Sequence, residues 1–368
     1  MDEAIELLCR ANFHKALWLP ETSAHGKLRV TYSTTINFDN ADLAVILFCG
    51  PLFGNRWNAA MIDRMASAHG VRVICVDRPG MGGSTPVRLD IRVNVWLETV
   101  PALLKALKVE HVSLMCHSIG TIYALNTLYI LRDILDPRNP YVAFVTPWVH
   151  SDHSRATLMR IASALPSSWI DSWDTINRFL LDNVMPVFAW SGGAMASMSS
   201  AFQPEPGAID TSEMTLGQKY GVSEEAGKCI EKLLMKYWLS ESTSAANEEA
   251  LLGLKKGRPS DWGVCDDYEA FVQLCAQQEQ QRQTASIDRA KLKIQMYFAE
   301  NDIMIGQGGQ EYFHKSWTQS GVEELIDVES RNMSETNHDT AILDPEKGAL
   351  KHIFEQVGRN RTHPGPSP

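Results

Sequence analysis

Along the first 150 residues, short apolar runs alternate with stretches of helical spacing. The runs Ala44 to Cys49, Val71 to Val76, Val112 to Cys116 and Tyr141 to Val145 carry little polar alternation. That pattern predicts strands covered on both faces, as in a parallel sheet. Two earlier strands are predicted at Ala16 to Leu19, ahead of Pro20, and at Leu28 to Ile36. Helical segments fall between them at Trp57 to His69 and Val93 to Leu107. Past residue 150 the regularity stops, and residues 151–285 show helical periodicities without a convincing β run. Two late strands, Lys293 to Phe298 and Glu324 to Val328, precede a closing helix around Lys347 to Val357. Strands and helices in this order predict an α/β chain with a mostly parallel eight-stranded sheet flanked by helices. The expected division is a core of residues 1–150 and 286–360, a helical insertion at 151–285, and a disordered tail at 361–368. Gln277 to Gln283 reads as a glutamine-rich helix surface or linker, not a repeat.

Composition narrows this picture without identifying a chemistry. A chain of 368 residues with 44% hydrophobic residues can bury a full-sized core. A formal net charge of -10 argues against nucleic-acid or anionic-membrane binding. The start Met1-Asp2-Glu3-Ala4-Ile5-Glu6 lacks a signal-peptide layout, and no apolar run approaches the roughly 20 residues that span a bilayer. Seven cysteines without metal-ligand spacing read as reduced thiols and small core hydrophobes. A cytoplasmic location is the expectation.

The stretch Cys116-His117-Ser118-Ile119-Gly120 carries the chemistry. It follows an apolar strand and leads into the helix-like Thr121-Ile122-Tyr123-Ala124-Leu125, so a serine sits at the apex of a strand–turn–helix. Small residues two positions to either side allow strand and helix to close on each other; here they are Cys116 and Gly120. Cysteine in place of the usual glycine breaks the G-x-S-x-G pattern. A serine hydroxyl attacks well only when an imidazole takes its proton, and that imidazole needs a carboxylate to fix its tautomer.

These features resemble the α/β-hydrolase family over nearly all of the chain outside residues 151–285. The resemblance implies the α/β-hydrolase fold, with a helical cap inserted after strand 6. It places the nucleophile, acid and base in that order, each after a particular strand. Ser118 matches the nucleophile. Asp302, just past the penultimate predicted strand, matches the acid, and His338, past the last one, matches the base. Glu300 and Asp77 are the rivals to Asp302, although Asp77 reads better as a carboxylate holding the Gly-rich turn Asp77 to Ser84. Asp339 is expected to be solvated or locally bonded.

The family's oxyanion donors map onto the backbone N–H groups of Ile119 and Leu52. The second lies in the unusual loop Cys49-Gly50-Pro51-Leu52-Phe53-Gly54, where a slip of one register would offer Pro51, which has no N–H. In the cap, Trp169, Trp173, Phe179, Trp190, Met195, Met198 and Phe202 are among residues that glue helices together or form an apolar ceiling. Phe53, His117, Trp190, Met195 and Met198 are the substrate-lining candidates, with packing the rival role for His117. Ser191 to Ala194 and Pro204 to Gly207 mark breaks between cap helices. His150, Asp152 and His153 read as hydrogen-bonding groups at the cap entry rather than metal ligands.

The expected activity is hydrolysis of an ester, thioester or lactone of a bulky, largely apolar small molecule, in a pathway of secondary metabolism. No metal or cofactor is called for, and the oligomeric state stays open. Epoxide hydrolases and dehalogenases of the family use aspartate where this chain has Ser118. A carbon–carbon lyase or cyclase on the same three residues, or a ligand receptor using the fold, remain alternatives.

Overall fold

The computed structural model describes residues 1–156, 159–160, 163, 214–242, 245–256, 262–285 and 290–362. Eight strands form one sheet: β1 Lys15–Leu19, β2 Leu28–Thr34, β3 Ala44–Cys49, β4 Val71–Val76, β5 Ser113–His117, β6 Tyr141–Val145, β7 Leu292–Asn301 and β8 Ile326–Asn337. Their order is β1-β2-β4-β3-β5-β6-β7-β8. Only β2 runs antiparallel to its neighbours, so the sheet is mostly parallel, as expected.

The apolar runs become central strands because both of their faces are covered; β4 and β6 are buried along their whole length. One face packs on α1 Asp2–Leu8, α2 Asn58–Ala68 and the closing helix α10 Leu350–Thr362. The other is covered by α3 Arg92–Leu107, α4 Gly120–Ile130, α8 Tyr268–Ala285 and α9 Gly306–Trp317. Cys49 pairs with Cys116, and His117 with Val145, so β3, β5 and β6 end at one level. The loops leaving them open into the crevice at the carboxyl ends of the strands, where open α/β sheets bind ligands.

The late strands differ most from the sequence reading. β8 begins two residues later than expected and continues to Asn337. It lies at the sheet edge, pairs only with β7, and exposes many of its side chains, so its polar second half carries no hydrophobic signal. The closing helix reaches Thr362, which takes in the first two residues of the stretch read as tail.

Within the insertion, the described residues include α5 Leu216–Tyr220, α6 Glu224–Ser240, α7 Ala246–Gly253 and α8. The last of these belongs to the main core, with Phe271, Val272 and Cys275 buried against it. Its glutamine-rich turn is a docked surface: Gln278 donates to the Tyr129 carbonyl and Gln283 to that of Leu325. Among the described residues no helix is long and apolar enough to cross a membrane.

A buried ion pair fastens α8 to the core. Arg132 meets Glu279 through two hydrogen bonds of 2.6 and 2.9 Å, with both side chains almost fully enclosed. Breaking such a pair strands a charge, whereas replacing both partners with apolar groups does not. Glu279→Leu alone should therefore cost about 3–5 kcal/mol, and Arg132→Met with Glu279→Leu should recover most of that loss. Urea unfolding of the two variants checks this.

Candidate active site

Ser118 stands at the junction of β5 and α4 with φ at 53°, in the left-handed region that non-glycine residues rarely occupy. Backbone bonds hold it there. Its N–H donates to the Val145 carbonyl at 3.2 Å, and its carbonyl accepts from the Thr121 N–H, the Thr121 hydroxyl and the Trp148 N–H. The turn is so tight that a Cβ on Gly120 would lie 2.0 Å from the Cys49 carbonyl oxygen. Glycine is required at that position. Cys116, on the other side, is fully buried, and burial keeps its thiol well above the usual range, so it is a packed hydrophobe rather than a second nucleophile.

The structure brings Asp302 and His338 together. His338 Nδ1 donates to Asp302 Oδ2 at 2.9 Å, which leaves Nε2 as the lone-pair nitrogen. The other carboxylate oxygen, Oδ1, accepts the N–H groups of Met304 at 3.0 Å and Ile305 at 2.9 Å. Burial favours the neutral acid, but His338 and these donors outweigh it and hold Asp302 below the ordinary carboxylate range. Burial likewise opposes a charged His338, yet the Asp302 carboxylate and its hydrogen bond override that and raise the imidazole above its usual value. Among the described residues His338 Nε2 is buried without a hydrogen-bond partner, so it is not bonded to the Ser118 hydroxyl. Such bonds are often long before substrate binds.

His117, a substrate-lining candidate from the sequence, has a different place. Its ring is 1% exposed, and Nε2 donates to the His338 carbonyl at 2.9 Å. Thr146 donates to the same carbonyl at 3.2 Å. The residue before Ser118 therefore supports the backbone of His338. Burial first, and the nearby His338 second, push its imidazole down to about 3, so it stays neutral. Thr146 gave no signal in the sequence. Its only mark is structural, a left-handed backbone at φ 41°.

Neither Leu52 nor Ile119 uses its backbone N–H in a hydrogen bond among the described residues. Ile119 caps the start of α4, where unpaired N–H groups and the helix dipole favour negative charge. Phe53 is half-buried, has φ at 62°, and packs on the core beside Leu52. Trp190, Met195 and Met198, with the other cap residues singled out between positions 169 and 207, lie outside the described residues.

The rival carboxylates sit elsewhere. Asp77 is fully enclosed and accepts from Thr31, from Arg56 and from the Arg56 N–H, which makes it the anchor of its Gly-rich turn. Glu300 accepts the Glu335 N–H at the sheet edge. Asp339, expected to be solvated or locally bonded, is half-buried and makes no hydrogen bond through its carboxylate among the described residues. His150 accepts the Asp152 N–H, and His153 stacks on Tyr312 with ring centroids 3.8 Å apart. Among the described residues no cluster could hold a metal ion.

The sequence model of the alpha/beta hydrolase family matches residues 46–220, a span that runs from β3 through Ser118 into the insertion. Solved structures match over almost the whole chain. One is a carboxylesterase of the ammonia-oxidizing thaumarchaeon Nitrososphaera gargenis, at 10% identity and a TM-score of 0.52, covering 94% of this chain and 99% of that one. A putative lipase from Acinetobacter baumannii AYE has 13% identity and a TM-score of 0.52, covering 98% and 96%. A haloalkane dehalogenase from Agrobacterium tumefaciens C58 has 16% identity and a TM-score of 0.53, covering 95% and 99%. No curated protein matches the chain. Sheet order and family model agree: the chain has the α/β-hydrolase fold, and residues 46–220 match the model of that family. At these identities the solved structures speak to fold alone.

The contact at Gly120 makes a sharp prediction. Gly120→Ala should lower stability by about 3 kcal/mol or more, because the colliding atoms are backbone and cannot swing aside. Cys116→Ala, which removes only a buried sulfur, should cost about 1 kcal/mol. Denaturant midpoints of the two variants make the comparison.

Proposed function

We propose that this chain is a serine hydrolase that cleaves an ester, thioester or lactone of a bulky, largely apolar small molecule through an acyl-enzyme on Ser118. The observation that carries this reading is His338. Its Nδ1 is committed to Asp302, while Nε2 is buried with no partner beside a strained turn that bears a serine. In the proposed reaction Nε2 takes the Ser118 proton as Oγ attacks the acyl carbon, then returns it to the departing alcohol or thiol. The free N–H groups of Ile119 and Leu52 receive the oxyanion. Water, deprotonated by the same nitrogen, then releases the acid and frees Ser118. His117 and Thr146 act by holding the His338 backbone, not by touching substrate.

The aspartate-based reactions of dehalogenases and epoxide hydrolases do not suit a serine at this position. The apolar substrate follows from the aromatic and methionine content of residues 151–285, and a role in secondary metabolism from the resemblance to capped family members.

A fluorophosphonate probe should label the wild type and leave Ser118→Ala unlabelled; equal labelling of both would sink the nucleophile assignment. Turnover in H₂¹⁸O should place label in the acid product, and its absence would favour a lyase or cyclase. The neutral imidazole is the working base, and its affinity for protons is raised. The acidic limb of kcat/KM should therefore fall above about pH 6.5, the ordinary imidazole value. Asp302→Asn removes the upward pull and leaves burial, so the limb should move down while kcat drops by about 10⁴.

A further inference from the structure

We propose that Arg78 and Glu249 form a positioning pair that sets the oxyanion loop and couples it to helix α7 of the insertion. The proposal rests on the serine-hydrolase reading of Ser118 given above. Arg78 is 1% exposed and lies in the turn after β4; Glu249 is 0% exposed and lies in α7, 171 residues further along the chain. They meet fork to fork, Nε to Oε1 and Nη2 to Oε2, both at 2.6 Å. Tyr123 of α4 donates to Glu249 Oε1 at 3.1 Å, and the guanidinium lies 4.9 Å from the centre of the Tyr123 ring.

The remaining guanidinium donors reach the loop opposite Ser118. Nη1 donates to the Gly50 carbonyl at 2.7 Å, and Nη2 to the Pro51 carbonyl at 2.5 Å. The Gly54 N–H binds the same Pro51 oxygen at 2.8 Å. In a planar trans peptide the carbonyl and the following N–H point in opposite directions. Fixing the Pro51 oxygen against Arg78 therefore turns the Leu52 N–H away from the arginine and holds it as an unpaired donor. Without the arginine, the Pro51–Leu52 peptide loses its charged anchor, and the loop can rotate that N–H out of line.

Helix α7 reaches the other donor as well. Its last residue, Gly253, sits against Ile119, where an added Cβ would come within 2.9 Å of Ile119 Cδ1. The Gly253 carbonyl also accepts from the Trp148 indole at 2.8 Å. One helix thus braces both halves of the oxyanion site, through Glu249 and Arg78 on one side and by direct packing on the other.

The test compares the full-length wild type with Arg78→Lys, with the double variant Arg78→Met/Glu249→Met, and with Ser118→Ala. Lysine keeps the charge opposite Glu249 but lacks the fork that reaches both carbonyls; the double variant removes both charges at similar volume and leaves Arg92, 3.6 Å from Glu249, paired with Glu248. Arg132→Met/Glu279→Leu serves as a control for loss of a buried ion pair away from the loop. The readouts are the fluorophosphonate labelling rate, kcat and KM on a p-nitrophenyl ester, and the thermal midpoint. Folded Arg78 variants should label and turn over about 10–10²-fold more slowly, with KM within about twofold, while the control keeps its rate. Wild-type rates in a folded Arg78 variant overturn the positioning role, as does unfolding of both variants, which makes the pair a determinant of the fold alone. A wild type that does not label, or a Ser118→Ala variant that labels equally, overturns the serine reading itself.

Discussion

Ser118 can keep its left-handed backbone only while three elements press on it. Such a conformation costs a non-glycine residue on the order of 1–2 kcal/mol, so the surroundings must supply the restraint. They do so through β6, which receives the Ser118 N–H, through Thr121 at the start of α4, and through Trp148 after β6. The same turn forces the near-contact between Gly120 and the end of β3. It also sends His117 to the opposite side, where it holds the His338 carbonyl. One strained residue thereby ties the ends of β3, β5 and β6 to one another and to the backbone of His338.

The charges around this turn are arranged so that few protons can move. Asp302 is stabilised as an anion by donors on both oxygens, and His117 is kept neutral by burial. The buried cysteines are held as thiols, with Cys49 pushed up to about 12. Among the described residues only His338 combines a raised proton affinity with an unoccupied nitrogen. That selectivity follows from where carboxylates and backbone N–H groups lie, not from any unusual residue type.

Where neighbours in sequence are neighbours in space, the chain is easy to read. The central strands announce themselves by unbroken apolar runs, and Ser118, Asp302 and His338 each stand just beyond a strand. The second half of β8 is silent because an edge strand in water needs no apolar face. Arg78 and Glu249 are silent for another reason. Arg78 lies within a Gly-rich turn, and Glu249 is one of two adjacent acids, Glu248-Glu249, that the sequence does not tell apart. Only packing reveals that one of those acids is enclosed and the other exposed to solvent at its edge. His117 sits between the cases: its position was plain, but its bond to the carbonyl of His338, 221 residues away, was not.

The span of the buried ion pairs bears on how the polypeptide can be built. Arg56, Arg78 and Arg92 emerge early in synthesis, yet their partners Glu241, Glu249 and Glu248 lie 185, 171 and 156 residues later. Arg132 waits 147 residues for Glu279. Until those acids leave the ribosome, the first six strands would enclose cations with no counter-charge apart from the Asp77 carboxylate beside Arg56. The N-terminal half is therefore poorly suited to close early as a finished unit, and its consolidation is deferred until the far end of the insertion arrives. A break in the message or a stalled ribosome anywhere before residue 249 would leave the Gly50–Pro51 loop without the Arg78–Glu249 anchor.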